Sequence, residues 1–276
     1  MPADNLNQNT ETNYPGGSPY FEFKSTLQLF IAEKKWESLK QSAYNMLAIF
    51  PEEAFGWFAL GIAFSRLGDF SSAIVNLKKA LYHNPVMASA DYQLGITYYR
   101  DRDYIIAIQH YEAAMAKGMN TEFLQYNLGN TWLKLNNPDA ALQCYIKSLS
   151  INSNFTPAAY GLFRIYFGKN DYQKAVSSLE PIISNEKLPS YLLAQAKLLY
   201  DNDSETSFFK LRQANNLLTS AIDLDDSFAL AYYERAFVKG KLGDAKGCLR
   251  DKTKAFQLEP ELRNGHTFSL FSSYYI

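Results

Sequence analysis

Residues 66–74 read RLGDFSSAI, and the phrase returns as RDRDYIIAI at 100–108, KLNNPDAAL at 134–142, GKNDYQKAV at 168–176 and KLGDAKGCL at 241–249. Its small residue is Ala73, Ala107, Ala141 and Ala175, each 34 residues from the last, then Ala214 after 39 and Cys248 after 34. The pairs Leu60–Gly61, Leu94–Gly95 and Leu128–Gly129 keep the same period. So do the large residues Leu77, Tyr111, Tyr145, Leu179 and Leu218, with Ala80, Ala114, Ser148, Ile182 and Ala221 three positions further on. Several independent positions sharing one period mark an internal repeat.

Within residues 54–87, Trp57, Leu60, Gly61 and Phe64 fall on one helix face, and Ala73, Leu77 and Ala80 on another. Between them, Gly68 suits the left-handed residue that closes a helix. Asp69 suits the N-cap that accepts free N–H groups of the next helix. Asp103, Asp171 and Asp244 recur at that phase, with Asn137 once. Pro85 stops the second helix, and prolines 51 and 260 share its phase. The unit is a pair of antiparallel helices, small at Gly61 and Ala73 where they approach.

This pattern resembles the tetratricopeptide repeat, on Trp57, Leu60, Gly61, Phe64, Gly68, Phe70, Ala73, Leu77, Ala80 and Pro85. Seven repeats are expected, at 20–53, 54–87, 88–121, 122–155, 156–189, 190–228 and 229–262, between a disordered polar tail (1–19) and an apolar C-terminal tail or cap (263–276). In the first repeat Trp36 and Pro51 keep phase, but Ala43 and Tyr44 fit poorly. In the fifth Phe163 replaces the small Gly, and in the sixth Lys197 does. The sixth also carries five extra residues within 201–210, placed at the turn between its helices. The resemblance implies an all-α fold, an α-solenoid wound as one right-handed superhelix.

Composition narrows the partners. The 276 residues are 47% hydrophobic and 20% charged with net charge −1, which gives no drive toward nucleic acid or anionic membrane. No stretch reads as a membrane span or a secretory leader, so a cytoplasmic protein is expected. Cys144 and Cys248 stand too far apart in sequence for a metal or disulfide framework and read as buried thiols. His83, His110 and His266 fall at unrelated phases, the first two on the outer side of second helices. No metal-binding, phosphate-binding or nucleophile motif is present, so no enzyme and no cofactor is expected.

Specificity then rests on the positions the repeat leaves open. In tetratricopeptide-repeat proteins a stripe on each first helix lines the concave groove, and the resemblance implies the same here. That stripe and its neighbours give Phe58, Arg66, Tyr92, Gln93, Arg100, Tyr126, Asn127, Asn130, Lys134, Tyr160, Arg164 and Tyr233. Tyr offers a flat face and a hydroxyl at low entropy cost. Asn pairs with a peptide backbone as both donor and acceptor, and the cations suit acidic side chains. The same tyrosines also suit packing between adjacent first helices. The family's clamp for a terminal carboxylate is incomplete: Gln28 and Ala59 stand where Asn is wanted, and Pro157 and Gly161 where basic residues are. The expected function is a protein-interaction scaffold holding a partner's extended peptide or helix in the groove. The alternatives are a structural subunit docking through its ends and convex face, and a regulator sensing a small peptide. A DNA-binding regulator is disfavoured, since residues 1–19 are too short for a helix-turn-helix domain. The apolar tail is expected to cap the seventh repeat, to mediate self-association or to be recognised by a partner.

Overall fold

The computed structural model describes residues 19–181, 188–200 and 207–264. They are all-α, with no strand among the described residues. The chain divides into two units, Met1–Asn137 and Pro138–Ile276, so the division falls between the two helices of the fourth repeat.

In the first unit, α1 (Pro19–Ala32) pairs with α2 (Trp36–Ile49), α3 (Ala54–Leu67) with α4 (Phe70–His83), and α5 (Ala88–Arg100) with α6 (Tyr104–Ala116). α7 (Glu122–Lys134) follows. Each helix packs on its successor, and α1, α3, α5 and α7 also touch in sequence, which makes a two-layer stack of helical hairpins. The second unit runs α8 (Pro138–Ile151), α9 (Thr156–Gly168), α10 (Tyr172–Leu179), α11 (Pro189–Tyr200), α12 (Phe208–Leu224), α13 (Ala229–Lys241) and α14 (Ala245–Leu258), then a 3-10 turn η1 (Pro260–Asn264). Here too each element packs on the next.

The turn phrase does what its residues suggest. Lys34, Gly68, Arg102, Asn136 and Asn170 all have positive φ, between 56° and 92°, and stand 34 residues apart; Gly243 has 83°. A non-glycine residue there costs on the order of 1 kcal/mol, offset by two backbone bonds that close the first helix. At Gly68 these are Gly68 N to Ser65 O (3.3 Å) and Asp69 N to Phe64 O (3.0 Å). Asp69, Asp103, Asp171 and Asp244 then accept from Ser72, Ile106, Lys174 and Gly247 N–H, capping α4, α6, α10 and α14.

Small meets large across the second and third hairpins. A Cβ on Gly61 would lie 2.5 Å from Leu77, and one on Gly95 2.5 Å from Tyr111. Leu77 and Tyr111 are in turn fully buried. The poor fit of the first repeat is an inversion of this rule: Leu27 stands at the Gly61 phase and Ala43 at the Leu77 phase, and both are completely buried. Volume is conserved while its source changes helix.

Several expectations need correction. His110 does not face outward: its Nδ1 lies 2.9 Å from Asp91 Oδ1 and its ring stacks on Tyr98. His83 stacks on Trp57 across its own hairpin. Cys144 is buried, but Cys248 is only half-buried. α10 ends at Leu179, two residues before Pro181, whose ring removes a helical donor. The extra residues of the sixth repeat are not all turn: Ser207 caps α12 and Phe208–Lys210 form its first turn. Ile182, His266, residues 201–206 and the tail from 265 lie outside the described residues.

Candidate functional site

On the first-helix layer of the first unit, the stripe splits into residues that join hairpin to hairpin or are buried and residues that stay partly accessible. Phe58 and Gln93 are buried, at 7% and 6% exposure, because their helices pack directly on neighbouring hairpins. They belong to the interior and not to an open groove. Asn127 Nδ2 donates to the Tyr92 hydroxyl at 2.8 Å, tying α7 to α5, while the Tyr92 ring tilts against Tyr111. Burial pushes the Tyr92 hydroxyl up to about 12, with the Asn127 bond opposing it. Arg66 lies over the Trp36 ring at 5.5 Å and Arg100 over Phe70 at 5.2 Å, each reaching back one hairpin. The Arg100 guanidinium also donates to the Ser65 carbonyl, and Thr97 donates to Ser65 Oγ beside it. Four of the anticipated ligand contacts, Arg66, Tyr92, Arg100 and Asn127, therefore join hairpin to hairpin.

α7 keeps the rest accessible. Tyr126, Asn130 and Lys134 recur at i, i+4 and i+8; the first two are half-buried and Lys134 is exposed, whereas Leu124, Leu128 and Thr131 of the same helix are buried. In the second unit, Tyr160 is half-buried against the core and Arg164 one turn later is exposed.

Tyr233 lies elsewhere, in a cleft of about 550 Å³ formed by α11, α13 and α14. At its base Lys197 Nζ pairs with Glu234 Oε1 at 3.3 Å, and the Tyr200 hydroxyl donates to Glu234 Oε2 at 2.8 Å. Both charged side chains are largely buried. Phe237 is 49% exposed, with the Lys241 ammonium 4.8 Å above its ring. Cys248 and Lys252 form the far wall. Beneath α13, Asp251 takes Arg235 Nε at 2.7 Å, Arg235 Nη2 at 2.9 Å and Lys239 Nζ at 2.9 Å. Burial pushes the Asp251 carboxyl up, but these donors outweigh it and hold it below the usual carboxylate range. Asp91 in the first unit behaves alike: burial is opposed by His110 and Lys117, and the carboxyl is held low. None of these ionic side chains was among the anticipated site residues. Lys197 stands out in the sequence only as a charge at a packing phase, and such an anomaly is the signal that finds these residues.

Among the described residues no group of three metal-ligating side chains exists, and no helix is long and apolar enough to cross a membrane. The tetratricopeptide-repeat family matches residues 58–121 and 123–155. No curated protein matches the sequence. Among solved structures, Pseudomonas aeruginosa pilF is similar at a TM-score of 0.62 with 20% identity, over 79% of this chain and 98% of that one. A MamA structure is similar at 0.51 with 22% identity, over 62% and 95%. MamA from Desulfovibrio magneticus RS-1 gives 0.52 with 18% identity, over 60% and 93%. These likenesses carry the fold.

Proposed function

We infer that this chain, a tetratricopeptide-repeat protein, is a non-catalytic scaffold that binds an extended peptide or helix of a partner protein along its first-helix stripe. Tetratricopeptide repeats are protein-interaction modules. The observation that carries the finer reading is on α7. There an aromatic, an amide and an ammonium recur on one face and stay accessible, while Leu124, Gln125, Leu128, Gly129 and Thr131 of the same helix are buried. Tyr126 supplies apolar area, Asn130 pairs with a peptide bond, and Lys134 favours an acidic ligand. In the second unit Tyr160 and Arg164 offer the same chemistry.

The test is affinity purification with mass spectrometry, comparing the natural chain with the triple variant Tyr126→Ala, Tyr160→Ala, Arg164→Glu. Loss of the co-purifying partner from a variant of unchanged helicity supports the stripe. Full retention removes it. A second reading, a subunit that docks through its end, is favoured by Phe237 of α13, which is 49% exposed.

A further inference from the structure

The repeat predicts which surface should be covered. Phe58, Ile62 and Leu77 of the second repeat are all buried, and α5 lies against both α3 and α4. The residues of the same phase in the seventh repeat are Tyr233, Phe237 and Lys252, each 175 positions further on. Tyr233 is half-buried, Phe237 is 49% exposed and Lys252 is exposed. Among the described residues η1 follows α14 and no further helix lies on this face.

Lys252 decides what fits there. Its phase holds Leu77, Tyr111, Tyr145, Leu179 and Leu218 in the other repeats, none more than 1% exposed. An apolar segment laid over Lys252 would bury an ammonium without a counter-charge, at a cost of several kcal/mol. Residues 265–276 contain no Asp or Glu to meet it. Lys241 and Lys252 each lie over a ring, Phe237 and Phe256, and neither has a carboxylate within ion-pair distance among the described residues. Glu234 is already paired with Lys197 and accepts a hydrogen bond from the Tyr200 hydroxyl. The cleft therefore presents an aromatic floor between two uncompensated cations.

From this geometry we propose that the end face formed by α13 and α14 docks an acidic amphipathic helix of a partner protein. Its apolar side sits on Tyr233 and Phe237, and its carboxylates meet Lys241 and Lys252. The two lysines exclude another copy of the apolar repeat face. This surface shares no residue with the α7 stripe, so the two readings fail independently.

A phage-displayed library of helical peptides, selected on the full chain, tests it. The enriched peptides should carry apolar residues at i, i+3 and i+4 flanked by Asp or Glu. Their affinity should fall at least tenfold for the double variant Lys241→Glu, Lys252→Glu, at least fivefold for Phe237→Ala, and not at all for Tyr126→Ala. Lys241, Lys252 and Phe237 are exposed and Tyr126 is half-buried, and a thermal melt of each variant checks that it folds. Enrichment of neutral or basic peptides, no enrichment, or indifference to charge reversal overturns the proposal. So does a tenfold gain in peptide affinity on removing residues 265–276, which would make that segment the occupant. A dimer in light scattering that Phe237→Asp abolishes would make it a second copy.

Discussion

The second and seventh repeats share one 34-residue plan and differ in what they place at its packing positions. In the second, Gly61 admits Leu77 and the hairpin closes there on a tight apolar contact. In the seventh, the counterpart of Leu77 is Lys252, and Asp251 beside it organises Arg235 and Lys239 through charge-assisted bonds. An apolar contact tolerates small shifts, whereas an ion pair out of water demands partners and geometry. The same fold is thus held by shape at one place and by electrostatics at another.

The contrast breaks most sharply at a single phase. Tyr111→Ala removes a buried ring and should cost about 4 kcal/mol in urea denaturation. Lys252→Ala at the same phase should stay within about 0.5 kcal/mol. Equal effects would show that Lys252 is packed. Next in size, Asp251→Ala leaves Arg235 and Lys239 without their acceptor. With those side chains 13% and 18% exposed, the loss should be about 2–3 kcal/mol. The carboxyls of Asp91 and Asp251 are both held low when folded, so their contribution is complete above about pH 4, the ordinary carboxylate range. It is lost as the pH falls through their folded-state values. An acid titration followed by circular dichroism should therefore show Asp251→Asn with a shallower stability loss below pH 4 than the natural chain. Smallest, Tyr92→Phe deletes the bond from Asn127 and should cost about 1 kcal/mol. A much larger loss there would mean that the tyrosine network, not the hairpin packing, holds α5 to α7.

The Asp caps at 69, 103, 171 and 244 were legible because a cap is local: one side chain answers an N–H three residues on. The Tyr–Asn–Arg stripe was legible as a set of residues but not in its use. Tyr92, Asn127, Arg66 and Arg100 each meet a group 30 or 35 residues away. Periodicity says which face a residue shares, not whether its neighbour on the next hairpin has already engaged it. The outward placement of His110 failed within its own hairpin, since Asp91 on the partner helix engages it.

The sequence by itself determined the hairpin: its period, its turn, its caps and the small-against-large rule, all of which act over a few residues or one helical contact. Only the tertiary structure decided which polar residues are spent. It joined Lys197 to Glu234 across 37 positions, gathered Arg235 and Lys239 on Asp251, and left Phe237 and Lys252 on an open face. The physical reason is desolvation. A charge or hydroxyl is committed or available according to what surrounds it in space, and a repeat fixes its phase without fixing those surroundings.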